Sequence, residues 1–272
     1  MKRDLVLCGV GGQGILSIAA VVDQAAVAAG FQVKQPEVHG MSQRGGAVHA
    51  FVRMSDGEIA CDLPPDGAAE AILSVEPLEA LRYVNWLAPA GVIVTDLTPV
   101  ANLKNYPDSD RLYEALYSLP RVIGVDATRL ARKAGSPRAQ NMVVLGAAAA
   151  LLPLEPERIE HHIAELFARK GEATVHTNLV AFRMGRTAAA LLARLVDAGV
   201  VPLHAARVVA RLDLGPEPVD GAVLIACMAL ASCPDAIARI DEAVGATAAM
   251  PLDAAALSKL AEPCLSRVAT PA

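Results

Sequence analysis

Two short loops hold the residue types best suited to binding chemistry. The first is Gly9-Val10-Gly11-Gly12-Gln13-Gly14, in which Gly9, Gly11 and Gly14 have GxGxxG spacing. It lies between a short apolar run, Asp4 to Gly9, and an apolar stretch of helical spacing from about Gly14 to Ala29. In a strand, loop and helix of this kind, backbone N–H groups and the helix N-terminus can receive a phosphate. Gly12 and Gln13 add amide donors that suit an anion or a partner surface. The same glycines also let a strand turn tightly onto its helix with nothing bound, so the loop alone leaves both readings open.

The second loop runs from Glu37 to Gly46 and places Glu37, His39, Ser42, Gln43 and Arg44 within eight residues, bracketed by Gly40 and by Gly45-Gly46. Arg44 offers a rigid fork of donors for phosphate or carboxylate, and the glycines allow close backbone approach. For any one of these residues a solvated polar turn is the alternative. A dinucleotide site would want an acid about 20 positions beyond the first glycines, at the end of the second strand. That neighbourhood reads Val33-Lys34-Gln35, with Glu37 slightly late. Lys34 would suit a phosphorylated ribose, so a self-contained NADP- or flavin-linked oxidoreductase stands as a second reading.

Other chemistries find little support. The five cysteines (Cys8, Cys61, Cys227, Cys233, Cys264) form no CxxC pair, so neither a metal site nor an iron–sulfur cluster is expected on this chain. Their odd, scattered placement argues against a disulfide framework and suits a reducing cytoplasm. A net charge of −5 with mixed signs offers no electrostatic footprint for nucleic acid or an anionic membrane. The longest apolar run, Met142 to Leu154, falls short of the roughly 20 residues that span a bilayer, and the N-terminus does not read as a signal peptide. A soluble protein is expected. The His and Asp residues define no nucleophilic triad, and His161 and His162, beside Glu160 on a helical stretch, read as a solvated face.

The elements that must position the loops follow an α/β rhythm. Strands are expected at Asp4 to Gly9, Phe31 to Gln35, Gly91 to Thr95 and Arg121 to Val125, the last two ending at Asp96 and Asp126. Val48 to Met54 and Glu58 to Cys61 read as a hairpin turned at Ser55-Asp56-Gly57. Helical spacing marks Glu76 to Leu87, Asn141 to Leu152, Glu157 to Lys170 and a segment including Val180 to Gly185. From about Thr187 the chain changes to Ala- and Leu-rich helical pieces divided at Gly199 to Pro202, Gly215 to Pro218, Pro234 and Pro251. The expected fold is therefore α/β, a Rossmann-like open sheet with some antiparallel strands over residues 1–186, followed by a helical extension over 187–272. With 54% apolar but only 3% aromatic residues, its core must be built from small aliphatic side chains, which implies close helix packing.

GVGGQGI at Gly9 to Ile15 and EVHGMSQRGG at Glu37 to Gly46, in that order, resemble the gamma-type subunit or domain of 2-oxoacid:ferredoxin oxidoreductases, and most of all the small subunits of the indolepyruvate-specific branch. GSPRAQNMVVLGA at Gly135 to Ala147 and the run from Ile159 through Phe167 and Lys170 to Asn178 and Phe182 extend the likeness to about Gly185. The resemblance implies an oxidative decarboxylation of a 2-oxoacid, such as an arylpyruvate, to an acyl-CoA. It further implies thiamine diphosphate with magnesium, [4Fe-4S] clusters, coenzyme A as co-substrate, and ferredoxin or another electron acceptor. This chain has neither a thiamine diphosphate motif nor cluster-spaced cysteines, so a larger partner subunit is expected to carry both. Its own contribution would be a subunit interface and a wall of the coenzyme A site, with Gly11, Gly12, Gln13 and Gly14 on one side and Ser42, Gln43 and Arg44 opposite. A non-catalytic adaptor using both loops as contact surface is the third reading.

Overall fold

The computed structural model describes residues 1–38, 46–100 and 106–268. The chain divides into two compact units, Met1–Arg186 and Thr187–Ala272.

The first unit is built on one open sheet of seven strands: β1 (Lys2–Val10), β2 (Gln32–Lys34), β3 (Glu37–Val38), β4 (Ala47–Ser55), β5 (Ala69–Ser74), β6 (Leu87–Asp96) and β7 (Val122–Val125). Their order is β2-β4-β1-β5-β6-β7, with β3 also paired to β4. β1, β5, β6 and β7 run parallel, whereas β4 is antiparallel to β1 from Lys2 opposite Ser55 to Val10 opposite Ala47. β2 and β3 are antiparallel to β4 in turn. Helices cover both faces, which is why β1 is buried continuously from Asp4 to Val10.

Those helices are α1 (Ile15–Ala28), α2 (Pro77–Arg82), α3 (Ser109–Tyr117), α4 (Ala127–Lys133), α5 (Gln140–Ala148), α6 (Pro156–Phe167) and the first part of α7 (Glu172–Asp197). Val6, Cys8, Phe51, Ile72 and Ile93 form one core cluster with Leu116 of α3, and Tyr83 and Trp86 pack against it. α5 is buried from Asn141 through Ala148, so its sequence is apolar all round and not on one stripe. A Cβ on Gly146 would fall on the carbonyl of Phe182, and one on Gly185 on the carbonyl of Val143. α5 and α7 therefore touch backbone to backbone, the close packing that the aromatic-poor composition implied.

The expected hairpin does not form. Val48 to Met54 lies within β4, but Glu58 to Cys61 is not a strand, and the antiparallel partners of β4 are β1, β2 and β3. The cause is Arg53, whose buried guanidinium pairs with Asp4 at 2.8 Å and donates to the carbonyls of Cys61 at 2.6 Å and Leu63 at 2.7 Å. Carbonyls held by a guanidinium are not available to a strand ladder. Asp56 instead takes the N-terminal ammonium of Met1, so the Ser55-Asp56-Gly57 turn closes onto the start of β1. The strand β5 and the helices α3 and α4 have no counterpart in the sequence reading.

In the second unit, α8 (Pro202–Arg211), α9 (Gly221–Ala231), α10 (Ala236–Val244) and α11 (Ala254–Val268) follow the last part of α7. The breaks fall where glycine and proline mark them, and Asp220 caps α9 by accepting from the N–H groups of Ala222 and Val223. α7 itself runs unbroken past Thr187 to Asp197 before Gly199 turns with φ +89°. Cys233 and Cys264 are joined by a disulfide, Cα atoms 5.8 Å apart, which ties α11 to the end of α9. The cysteines are thus not all unpaired: 31 residues of separation hid a pair that packing of α9 against α11 brings together. Among the described residues no single helix is long and apolar enough to cross a membrane, and the apolar α9 and α10 meet at 115°.

Candidate functional site

The glycine loop lies where β1 gives way to α1, at the carboxyl edge of the parallel strands, the edge where open α/β sheets place their ligands. Gly12 (φ +98°) and Gly14 (φ +79°) both hold left-handed backbone. A side chain on Gly14 would meet Asn141 Nδ2 at 2.5 Å, and one on Gly9 would meet Gln13 Oε1 at 2.9 Å. Gly12 is different, because among the described residues nothing lies within 4 Å of where its Cβ would stand. The tip of the loop is open while its two ends are closely packed.

Gln13 is the brace of this loop. Its Oε1 accepts from the N–H of Val10 at 2.7 Å and its Nε2 donates to the carbonyl of Val75 at 2.9 Å, binding the turn to the ends of both β1 and β5. The donors left to face outward are therefore main-chain ones. α1 begins at Gly14 without a side-chain cap and has no acidic residue in its first turn. Its first N–H groups have no intrahelical partner, and the positive end of its dipole is not offset.

The second loop meets the first through its Gly46 end. β3 pairs with β4 at Val38 opposite His49, and the carbonyl of Gly46 accepts from the N–H of Gly11 at 2.8 Å. Ser42, Gln43 and Arg44 lie outside the described residues, as does His39. The Gly46 end of the loop reaches the glycine turn because β4 runs antiparallel beside β1 and begins opposite Val10, whereas Val38 pairs with the other edge of β4.

A row of polar groups continues along the same edge. Asn141, at the start of α5, donates from Nδ2 to the carbonyl of Gly14 at 3.0 Å, while its buried Oδ1 has no hydrogen-bond partner. Next to it, Gln140 Oε1 accepts from Thr128, whose hydroxyl also reaches Asp96 at 2.8 Å. Asp96 is 1% exposed and accepts from the N–H groups of Thr98 and Ala127, both at 3.0 Å. Those bonds favour its ionised form, but burial outweighs them and pushes the carboxyl up to about 7. Glu76, fully buried after β5, caps α2 through the N–H of Glu79 and receives the hydroxyl of Tyr106 and the N–H of Val100.

Asn141 and Glu76 were not singled out in the sequence. A signal for Glu76 was present, since a carboxylate before Pro77 is a helix start with proline at its first position. Asn141 was the one polar residue leading an apolar run, and only the fold shows that it supports Gly14. The sheet order also bears on the dinucleotide reading. β4, antiparallel, occupies the position beside β1 where a parallel strand with a ribose-binding acid would stand, and Lys34 on the outlying β2 pairs with Asp62 at 2.8 Å.

Residues 4–188 match the family model described as pyruvate ferredoxin/flavodoxin oxidoreductase. The chain is 37% identical over 194 residues to the indolepyruvate oxidoreductase subunit IorB of Archaeoglobus fulgidus, covering 68% of this chain and 94% of that one. The IorB subunit of Thermococcus kodakarensis is also 37% identical, over 69% of this chain and 96% of its own length. Among solved structures, 70% of the chain superimposes on 31% of a 2-oxoglutarate:ferredoxin oxidoreductase chain from Magnetococcus marinus, a structure with 2-oxoglutarate, coenzyme A and succinyl-CoA bound (TM-score 0.56, 22% identity). The pyruvate oxidoreductase subunit PORC of Thermotoga maritima superimposes over 68% of this chain and 94% of its own (TM-score 0.50, 22% identity), a likeness of fold. The matched segment coincides with the unit that carries the sheet and the glycine loop, and the resemblance read in the sequence holds: the chain belongs to the pyruvate ferredoxin/flavodoxin oxidoreductase family.

Proposed function

We propose that the chain is the cofactor-poor subunit of a thiamine diphosphate-dependent 2-oxoacid oxidoreductase, of the indolepyruvate or arylpyruvate type, and that it supplies part of the coenzyme A site and the interface with a large partner. Thiamine diphosphate, with magnesium, would cleave the 2-oxoacid on that partner, whose [4Fe-4S] clusters would pass electrons to ferredoxin or another acceptor. Neither cofactor fits this chain, which has no ligand set spaced for a cluster.

The observation that carries the coenzyme A reading is the uncapped start of α1 beneath an open glycine tip. Such a turn suits a phosphate of coenzyme A, held by the main-chain N–H groups of Gly12, Gly14 and the first residues of α1, since those of Gly11 and Gln13 already donate to the carbonyls of Gly46 and Val10. Gln13 would hold the loop in shape, and Ser42, Gln43 and Arg44 would close over the anion from the second loop. A self-contained NADP- or flavin-linked enzyme is disfavoured by the sheet order. We also propose a cytoplasmic setting, in which the reducing thiol pool would tend to hold Cys233 and Cys264 as thiols.

Reconstitution tests this. The partner alone should form little acyl-CoA, and adding this chain should restore coenzyme A-dependent turnover together with acceptor reduction. A partner that is fully active and saturable by coenzyme A without this chain would leave only the adaptor role.

A further inference from the structure

On α6, far from the glycine loop, two imidazoles and a carboxylate converge. His161 Nε2 lies 3.4 Å from Glu165 Oε1, and His162 Nδ1 lies 2.7 Å from Glu165 Oε2. One donor atom from each of the three falls within 4.8 Å of the others. Glu165 stands four residues after His161 and three after His162, so helical spacing brings both rings to one carboxylate. His162 is held in place, its side chain only 11% exposed, while His161 and Glu165 open to solvent at 65% and 59%.

The surroundings favour a cation. A groove of about 590 Å³ beside the rings is lined by Ala28, Glu155, Glu157, Arg158, His161 and His162. The one fixed positive charge there, Arg158, is engaged through Nη1 with the carbonyl of Ala28 at 2.8 Å. Two imidazoles with one carboxylate select a transition ion of borderline softness over magnesium or calcium, which prefer oxygen alone. Zinc binds nitrogen and carboxylate oxygen at about 2.0–2.2 Å, so its ligand atoms stand roughly 3.4 Å apart. The separations seen here need only side-chain adjustment to meet that value.

We propose that His161, His162 and Glu165 form a surface site for a divalent transition ion, best suited to zinc, with a remaining coordination position open to water. The site is distinct from the glycine turn: Arg158 reaches the carboxyl end of α1, about 20 Å along the helix from Gly14. It leads a three-ligand arrangement from a single helical turn, rigid on the His162 side and adaptable on the other.

The test is calorimetric titration of the untagged, metal-freed full chain with zinc chloride at pH 8, without reductant so that Cys233 and Cys264 stay bonded. One equivalent should bind in the micromolar range and raise the melting temperature. His161→Ala and Glu165→Gln, both at exposed positions that leave the fold intact, should each weaken binding tenfold or more and abolish the thermal shift. Glu157→Gln, in the groove but outside the triad, should change affinity less than threefold. Absence of binding below millimolar zinc, or equal affinity in the His161→Ala, His162→Ala double variant, would overturn the assignment.

Discussion

Replacing Gly14 by alanine strains the turn between β1 and α1 in two separable ways. The backbone there has φ +79°, and holding a residue with a Cβ in the left-handed region costs about 1–2 kcal/mol. The new Cβ would also stand 2.5 Å from Asn141 Nδ2, forcing the amide away from the Gly14 carbonyl that it now meets at 3.0 Å. Because Asn141 Oδ1 already lacks a partner, displacement would leave a buried amide unpaired at both ends, a further cost of about 1–3 kcal/mol. The sum is about 2–5 kcal/mol. Gly12→Ala is the control: φ is +98° but the space is open, so only the backbone strain of about 1–2 kcal/mol applies. Denaturant unfolding followed by the fluorescence of Trp86 reports on the right unit, since this single tryptophan packs against the first unit's core. Equal destabilisation by the two substitutions would refute the steric role assigned to Asn141.

Three further outcomes follow from the structure. Asp96 titrates near 7 when folded and near 4 when unfolded, so the folded state retains a proton that the unfolded chain releases; this contribution is fully present below about pH 4 and is lost as pH rises through 7. Asp96→Asn, which keeps an acceptor for Thr98 and Ala127, should flatten that slope by up to about 1.4 kcal/mol per pH unit, while Asp23, also pushed up to about 7 by burial, leaves a remainder; an unchanged slope between pH 4.5 and 7 would contradict the assignment. Gly146→Ala should cost at least about 1–3 kcal/mol in the same fluorescence assay by driving α5 from the Phe182 carbonyl, and a neutral effect would show that the two helices do not touch there. Cys264→Ser should lower the stability of the second unit by about 3–4 kcal/mol under oxidising conditions, read by calorimetry, and an identical melt would mean that the bond contributes nothing in solution.

Where local signals agreed with tertiary demand, the fold was legible in the residues. The run from Asp4 to Gly9 could be nothing but buried, and Gly199, Pro202, Pro234 and Pro251 broke helices because backbone chemistry leaves few alternatives there. The hairpin failed because a turn signal is local, whereas the partner of β4 was decided by the Arg53–Asp4 pair across 49 residues. β5 escaped notice because Ala69–Ser74 is short and alanine-containing, and its strand character comes from lying between β1 and β6. At the site, the glycine positions were visible because left-handed backbone and tight packing select glycine. Gln13 was read as a donor to a ligand, but its amide reaches Val75 across 62 residues, a contact that no spacing rule displays. Asn141 supports Gly14 from 127 residues away and was hidden for the same reason.

The most direct test of the central claim compares two activities of one assembled mutant complex, Arg44→Ala. A phosphate held by an arginine fork typically contributes about 1.5–3 kcal/mol, so losing it should raise the KM for coenzyme A about tenfold or more. Reduction by the 2-oxoacid, without coenzyme A, of the iron–sulfur clusters proposed for the partner should stay unchanged. Unaltered coenzyme A kinetics, or a parallel fall in both activities with loss of assembly, would contradict a coenzyme A site formed by the two loops of this chain.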